Sequence, residues 1–132
     1  MRVLIYLDSC MVIYLVEPHI EHAATIRREI LRRNDVILCI SPLVVMEILV
    51  RPMRDRNEAL VRRYRQYVAS QRMLSMPDSV FEIALNLRVS HKLKTPDALY
   101  LATAMVQGCS EFWTNDNRLV TVAPKFAINL LG

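Results

Sequence analysis

Apolar positions follow two rhythms along the chain. Val3 to Leu7 and Val36 to Ile40 are short unbroken apolar runs, partly β-branched, as expected of strands covered on both faces. Ser9 to Val16 reads as a helix that stops near Pro18. His19 to Arg33 is a second, with Ala23, Ile26, Ile30 and Leu31 on one side, charges on the other, and Glu29 four residues before Arg33. Ser41-Pro42 predicts a helix start, Ser as N-cap and Pro at the first helical position, and the helix ends near Arg51-Pro52. A helix over about Asp55 to Ser70 follows, then a short strand at Met73 to Ser75. Another helix runs from Pro77 or Asp78 to about Ser90. Thr95-Pro96 repeats the cap-and-proline start for a helix, Asp97 to Gln107, closed by Gly108. Phe112 to Thr114 predicts a strand, Asn115 to Asn117 a turn, and Phe126 to Leu131 a last strand. Strands alternating with helices predict an α/β three-layer sandwich, with helices flanking a mainly parallel sheet of four to five short strands. The 132 residues fit one domain, 1–132.

Composition removes several classes of function. Gly108 and Gly132 are the only glycines, too few for a G-x-G-x-x-G turn or a P-loop. Cys10, Cys39 and Cys109 are odd in number and widely spaced, which argues against a disulfide framework or a zinc site and fits a reducing cytoplasm. The opening apolar stretch is interrupted by Asp8 before it reaches signal-peptide length, and no run approaches a membrane span. A soluble cytoplasmic protein is the expectation.

Four carboxylates stand beside elements that read as buried. Asp8 follows the first strand, and Glu47 lies about six residues into an almost wholly apolar helix. Asp97 is in the first turn of the Ala-Leu-Tyr-Leu-Ala-Thr-Ala helix, and Asp116 follows the strand of Phe112 and Trp113. Singly, each has a plain structural role open to it: Asp8 and Asp116 as caps, Asp97 as a complement to the helix dipole, Glu47 as an i,i+4 partner of Arg51. Jointly, they suit the crevice at the carboxyl ends of parallel strands, where ligands of open α/β sheets bind. Two carboxylates about 5 Å apart repel by roughly 3 kcal/mol at an effective dielectric near 20. A divalent cation relieves that repulsion, and an all-oxygen donor set favours Mg²⁺ or Mn²⁺ over zinc.

The segments Leu7-Asp8-Ser9-Cys10, Ser41-Pro42 through Glu47, Thr95-Pro96-Asp97-Ala98-Leu99 and Thr114-Asn115-Asp116 resemble the PIN-domain ribonucleases, most nearly the VapC-type toxins of prokaryotic toxin–antitoxin pairs. The resemblance spans nearly the whole chain and implies a catalytic set of Asp8, Glu47, Asp97 and Asp116. On it, Asp8 and Asp97 hold metal, Asp116 does so directly or through water, and Glu47 positions or deprotonates water. Thr114 matches the family's hydroxyl beside the last acid, and Ser9 its small polar residue after the first. It further implies Mg²⁺-dependent hydrolysis of RNA to 5′-phosphate and 3′-hydroxyl products, a homodimer, and a small antitoxin as partner. Cys10 stands where many members carry Asn, and Leu119 where many carry an aromatic residue.

Charge then takes on a shape. The net +4 contains fourteen arginines, seven of them between Arg51 and Arg72. Arg51, Arg54, Arg62 and Arg65 are candidates for RNA phosphate, with possible Arg54–Glu58 and Glu58–Arg62 pairs on a solvated helix as an equal alternative. Tyr64 and Tyr67 interleave with them, as base-stacking residues or, more simply, core. His19, His22 and His91 read as surface or loop residues, and Met46 and Met105 as core packing. A non-cutting PIN-like module that binds RNA or protein is the alternative function. A haloacid-dehalogenase-like phosphotransferase would need a second Asp where Cys10 stands.

Overall fold

The computed structural model describes residues 2–17 and 20–132; the expected stop at Pro18 and the placement of His19 fall outside them. Five strands, β1 (Val3–Leu7), β2 (Val36–Ile40), β3 (Arg72–Met73), β4 (Glu111–Trp113) and β5 (Ala127–Ile128), form one sheet in the order β3-β2-β1-β4-β5. Every pairing in it is parallel. Its helices are α1 (Ser9–Val16), α2 (Ile20–Arg32), α3 (Pro42–Arg54), α4 (Glu58–Ser70), α5 (Asp78–His91), α6 (Thr95–Val106) and α7 (Asn117–Val122). The chain steps from β1 outward to β2 and β3, then crosses back over β1 to β4 and β5. Right-handed crossovers place helices of the first excursion on one face and those of the second on the other, so the three layers follow from strand order. No helix among the described residues is long and apolar enough to cross a membrane.

The central strand is the driest. Ile5, Tyr6 and Leu7 are fully buried, and the rings of Tyr6, Tyr100 and Phe112 pack tilted at centroid separations of 5.4 to 5.7 Å. Small residues let α5 and α6 approach closely, with Ala84, Ala98 and Ala102 buried around Val80. Helix α6 ends in a Schellman arrangement: Gly108 takes φ +67°, and Cys109 N–H reaches the Ala104 carbonyl at 2.9 Å.

Several local expectations are corrected. Ser41 is at the N-cap of α3, yet its hydroxyl is hydrogen-bonded to the buried Tyr6 hydroxyl rather than to its own helix. Lys94, not Thr95, occupies the N-cap of α6. Helix α3 passes through Pro52 to Arg54, because a proline so near the end deletes only a final-turn bond and its ring is buried. Helix α4 starts at Glu58, where Asn57 caps the Leu60 N–H at 3.2 Å. Glu29 pairs with Arg32, while Arg33 crosses to Glu111 at 2.6 Å. Leu31, Met46 and Met105 are 84%, 59% and 49% exposed, so none is a core residue. Tyr64 is core, and its hydroxyl donates to Glu17. Tyr67 is largely packed inward, leaving little of its ring for stacking.

Position within α2 gives a direct stability test. Ile26 is fully buried, whereas Leu31 on the same helix faces solvent. Ile26→Ala is expected to cost about 2–5 kcal/mol in urea unfolding. Leu31→Lys should leave stability within about 0.5 kcal/mol.

Candidate active site

The register of β1 against β4 builds the site. Leu7 pairs with Trp113, and Asp8 N–H donates to the Trp113 carbonyl at 3.0 Å, so the next residues, Asp8 and Thr114, emerge side by side. This is the point where strand order reverses, the crevice that open parallel sheets use for ligands. Thr114 Oγ1 donates to Asp8 Oδ2 at 2.6 Å, and Ser9 Oγ to Oδ1 at 3.3 Å. Asp8 is the N-cap residue of α1, but its side chain makes no cap bond. The capping role open to it from sequence is not used.

Glu47 reaches the same place from α3. Its Oε1 accepts the Tyr100 hydroxyl, and the same phenolic oxygen accepts Ser9 N–H at 3.3 Å. Arg51, its possible i,i+4 partner, binds Glu17 instead through contacts of 2.6 and 2.7 Å. Asp97 sits in the first turn of α6. Asp116 does cap a helix, accepting Arg118 N–H at 2.9 Å, and its own N–H donates to Thr114 Oγ1 at 3.1 Å. Thr114 thereby ties the first and last acids together.

Electrostatics divides the four. Loss of water around Asp8, aided by Glu47, holds its carboxyl above the usual carboxylate range, while the Thr114 bond pulls the other way. Asp97 is also raised, first by desolvation, with Arg118 opposing and Asp116 and Glu47 adding to the rise. Asp116 is held below the usual range, chiefly by its hydrogen bonds from the Arg118 side chain. Arg118 Nε and Nη2 lie 3.1 and 2.7 Å from the two Asp116 oxygens, and Nη2 is 3.7 Å from Asp97 Oδ2. Neither Asp8 nor Glu47 has a cationic partner among the described residues.

The sequence-derived set is thus brought into one neighbourhood, where each acid acts on another. Among the described residues, no three His, Cys, Asp or Glu side chains are gathered closely enough to cage a cation as they stand. The chemistry of the donors nevertheless fits a hard divalent ion: they are all oxygen, and Asp8 is desolvated with no compensating cation. Cys10 does not compete, since burial and Asp8 push its thiol up to about 12. Ser9 and Thr114 supply the hydroxyls that hold Asp8, and Leu119 is buried as an ordinary packing residue.

Two residues of the site carried no signal of their own in the sequence. Tyr100 is one position of the Ala-Leu-Tyr-Leu-Ala-Thr-Ala helix, and Arg118 follows the turn expected at Asn115 to Asn117. The arginine-rich stretch contributes differently from expectation. The cations acting on Asp97 and Asp116 are Arg118 and Lys94, not Arg54, Arg62 or Arg65. The possible Arg54–Glu58 and Glu58–Arg62 pairs are absent among the described residues; Arg54 ends one helix and Glu58 begins the next. His91 is exposed, and His22 is half-buried on α2 against Tyr14.

A family model of the PIN domain matches residues 5–125, and the chain belongs to that family. Its fold is similar to that of VapBC-1 from nontypeable Haemophilus influenzae, with a TM-score of 0.81 at 12% identity over 98% of this chain and 100% of that one. It is similar also to VapBC2 from Rickettsia felis bound to a promoter DNA fragment, with a TM-score of 0.79 at 14% identity over 96% and 98%. VapC20 of Mycobacterium tuberculosis, a toxin that cleaves the sarcin–ricin loop, matches with a TM-score of 0.74 at 16% identity over 90% and 95%. No curated protein matches the sequence.

The Thr114–Asp8 bond can be probed without any ligand. Thr114→Val removes a donor to the ionised carboxylate, so the Asp8 pKa should rise further in a carboxyl NMR titration. The sign for stability follows: the bond stabilises the ionised form, so its loss should cost about 1.5–3 kcal/mol well above the Asp8 pKa. That cost should shrink as pH falls and Asp8 protonates.

Proposed function

We propose that this chain is a Mg²⁺-dependent endoribonuclease acting as the toxin of a toxin–antitoxin pair. The observation that carries the reading is the state of Asp8. It is a desolvated carboxylate at the switch point of the sheet, gripped by two hydroxyls, without a cationic partner among the described residues, and repelled by Glu47. Such charge is costly in a small domain and has a use where a divalent cation is to be held. Likeness in fold to VapC-type toxins and to toxin–antitoxin complexes supports the toxin role and a small antitoxin partner.

On this reading Asp8 and Asp97 hold the cation, with Asp116 bound directly or through water. When bound, the ion lowers the pKa of a water and neutralises charge developing on the phosphoryl oxygens. Glu47 is the residue that would orient the attacking water and take its proton. Tyr100 fixes Oε1, and Oε2, which has no partner among the described residues, would accept the proton. Thr114 and Ser9 keep Asp8 from turning back to cap α1. Exposed Arg54, Arg62 and Arg65 are the proposed contacts to the RNA backbone, and Arg51 is the weaker candidate because it is committed to Glu17. Products with 5′-phosphate and 3′-hydroxyl ends, and a homodimer, complete the proposal.

A second reading, a catalytically weak module that binds RNA or protein, has one observation in its favour: Arg118 already neutralises Asp116.

Cleavage of single-stranded RNA should require Mg²⁺ or Mn²⁺ and fall at least about a hundredfold in Asp97→Asn. Tyr100→Phe should lower kcat about tenfold by loosening Glu47. Binding of several RNAs with no turnover would select the second reading. Mg²⁺ at ten times its Kd should stabilise the fold by about 1.4 kcal/mol, read as a rise in Tm. A Tm unmoved across millimolar Mg²⁺ would count against the metal assignment.

A further inference from the structure

The guanidinium of Arg118 bridges two of the four site acids. It meets Asp116 with both Nε and Nη2, and Nη2 also turns toward Asp97. The two sides of this contact differ in freedom. The Arg118 side chain is 68% exposed and can leave into solvent, while those of Asp97 and Asp116 are 20% and 25% exposed. Asp116 is further anchored by the Arg118 backbone N–H, which grips Oδ1 at 2.9 Å whatever the side chain does. Departure of the guanidinium therefore leaves the carboxylate in place.

We propose that Arg118 is the site's own exchangeable counter-ion, occupying the Asp97–Asp116 pair until a divalent cation displaces it. The inference rests on the metal-dependent reading above and concerns its regulation. A guanidinium fork satisfies two carboxylate oxygens at once, so the ion must compete for the same atoms rather than bind beside it. Cation affinity is lowered by the strength of this latch, and the acid pair is never left bare. The latch is solvent-exposed, so salt weakens it.

Lys94 provides the control. It acts on both Asp97 and Asp116 through space but forms no ion pair with either among the described residues. Mn²⁺ binding to the full chain can be followed by the electron paramagnetic resonance signal of free Mn²⁺, with no turnover involved. Arg118→Gln should tighten Mn²⁺ binding about three- to tenfold, a range expected for loss of one exposed bidentate pair. Arg118→Lys, which keeps the charge and loses the fork, should fall between it and the parent. Lys94→Gln should change affinity less than about twofold. Equal tightening in Arg118→Gln and Lys94→Gln would overturn the latch, since charge alone would then explain it, and would leave the metal reading intact. Absence of Mn²⁺ binding in the parent and every variant would overturn both.

Discussion

Parallel pairing of β1 with β4, in the register that sets Leu7 against Trp113, is the constraint on which the site depends. It delivers Asp8 and Thr114 to adjacent positions at the strand ends, where a 2.6 Å bond joins them. A slip of one residue would turn every side chain of β4 to the opposite face. The buried Phe112 and Trp113 side chains would then exchange faces, which the packed core opposes. The apolar interior thereby fixes a polar contact at its rim. Asp8 owes its position to the burial of residues that have no chemistry of their own.

Beyond that contact the site answers its negative charge in two ways. Around Asp8 and Glu47 the answer is neutral donors, hydroxyls from Ser9, Thr114 and Tyr100. Around Asp97 and Asp116 it is a full positive charge from Arg118. Neutral donors hold a carboxylate in place without cancelling its charge, so Asp8 remains raised in pKa while Asp116 is lowered. Unneutralised charge therefore lies on one side of the crevice and a carboxylate paired with an exposed arginine on the other. Setting the four acids aside leaves nine against seventeen bases, so this acidic pocket lies in a body carrying +8.

Much of the architecture was legible because the signals were local. Unbroken apolar runs marked β1 and β2, Pro42 and Pro96 marked helix starts, and the four acids stood out against apolar neighbours. What escaped depends on long-range geometry. Leu31, Met46 and Met105 fit an apolar count but face solvent, since helical phase alone does not fix how far a core extends. Ser41 was legible as a cap position; that its hydroxyl would be spoken for by Tyr6, 35 residues away, was not. Tyr100 and Arg118 carry conventional helix residues to unconventional partners, visible only once α3, α6 and α7 converge. Asp116 reads as the cap of a turn or of a short helix alike, and the long-range packing of α7 decides for the helix, with Asp116 doing double duty as cap and site acid.

That double duty bears on why the fold can carry so much like charge. Each acid is held by structure that would exist without it: a strand end for Asp8, a helix interior for Glu47, the first turn of α6 for Asp97, the start of α7 for Asp116. Three of them, Asp8, Asp97 and Asp116, sit where helix N-termini offer partial positive charge, which offsets some of their repulsion. Glu47 lacks that help and is instead held by Tyr100, whose ring is locked in the Tyr6–Phe112 cluster beneath the sheet's central strand. Packing energy thus stabilises a carboxylate geometry that electrostatics alone would disperse. Glycine scarcity is consistent with this design, because anion-binding loops of backbone amides are replaced by side chains on regular elements, where glycine would only weaken the helices and strands that aim them.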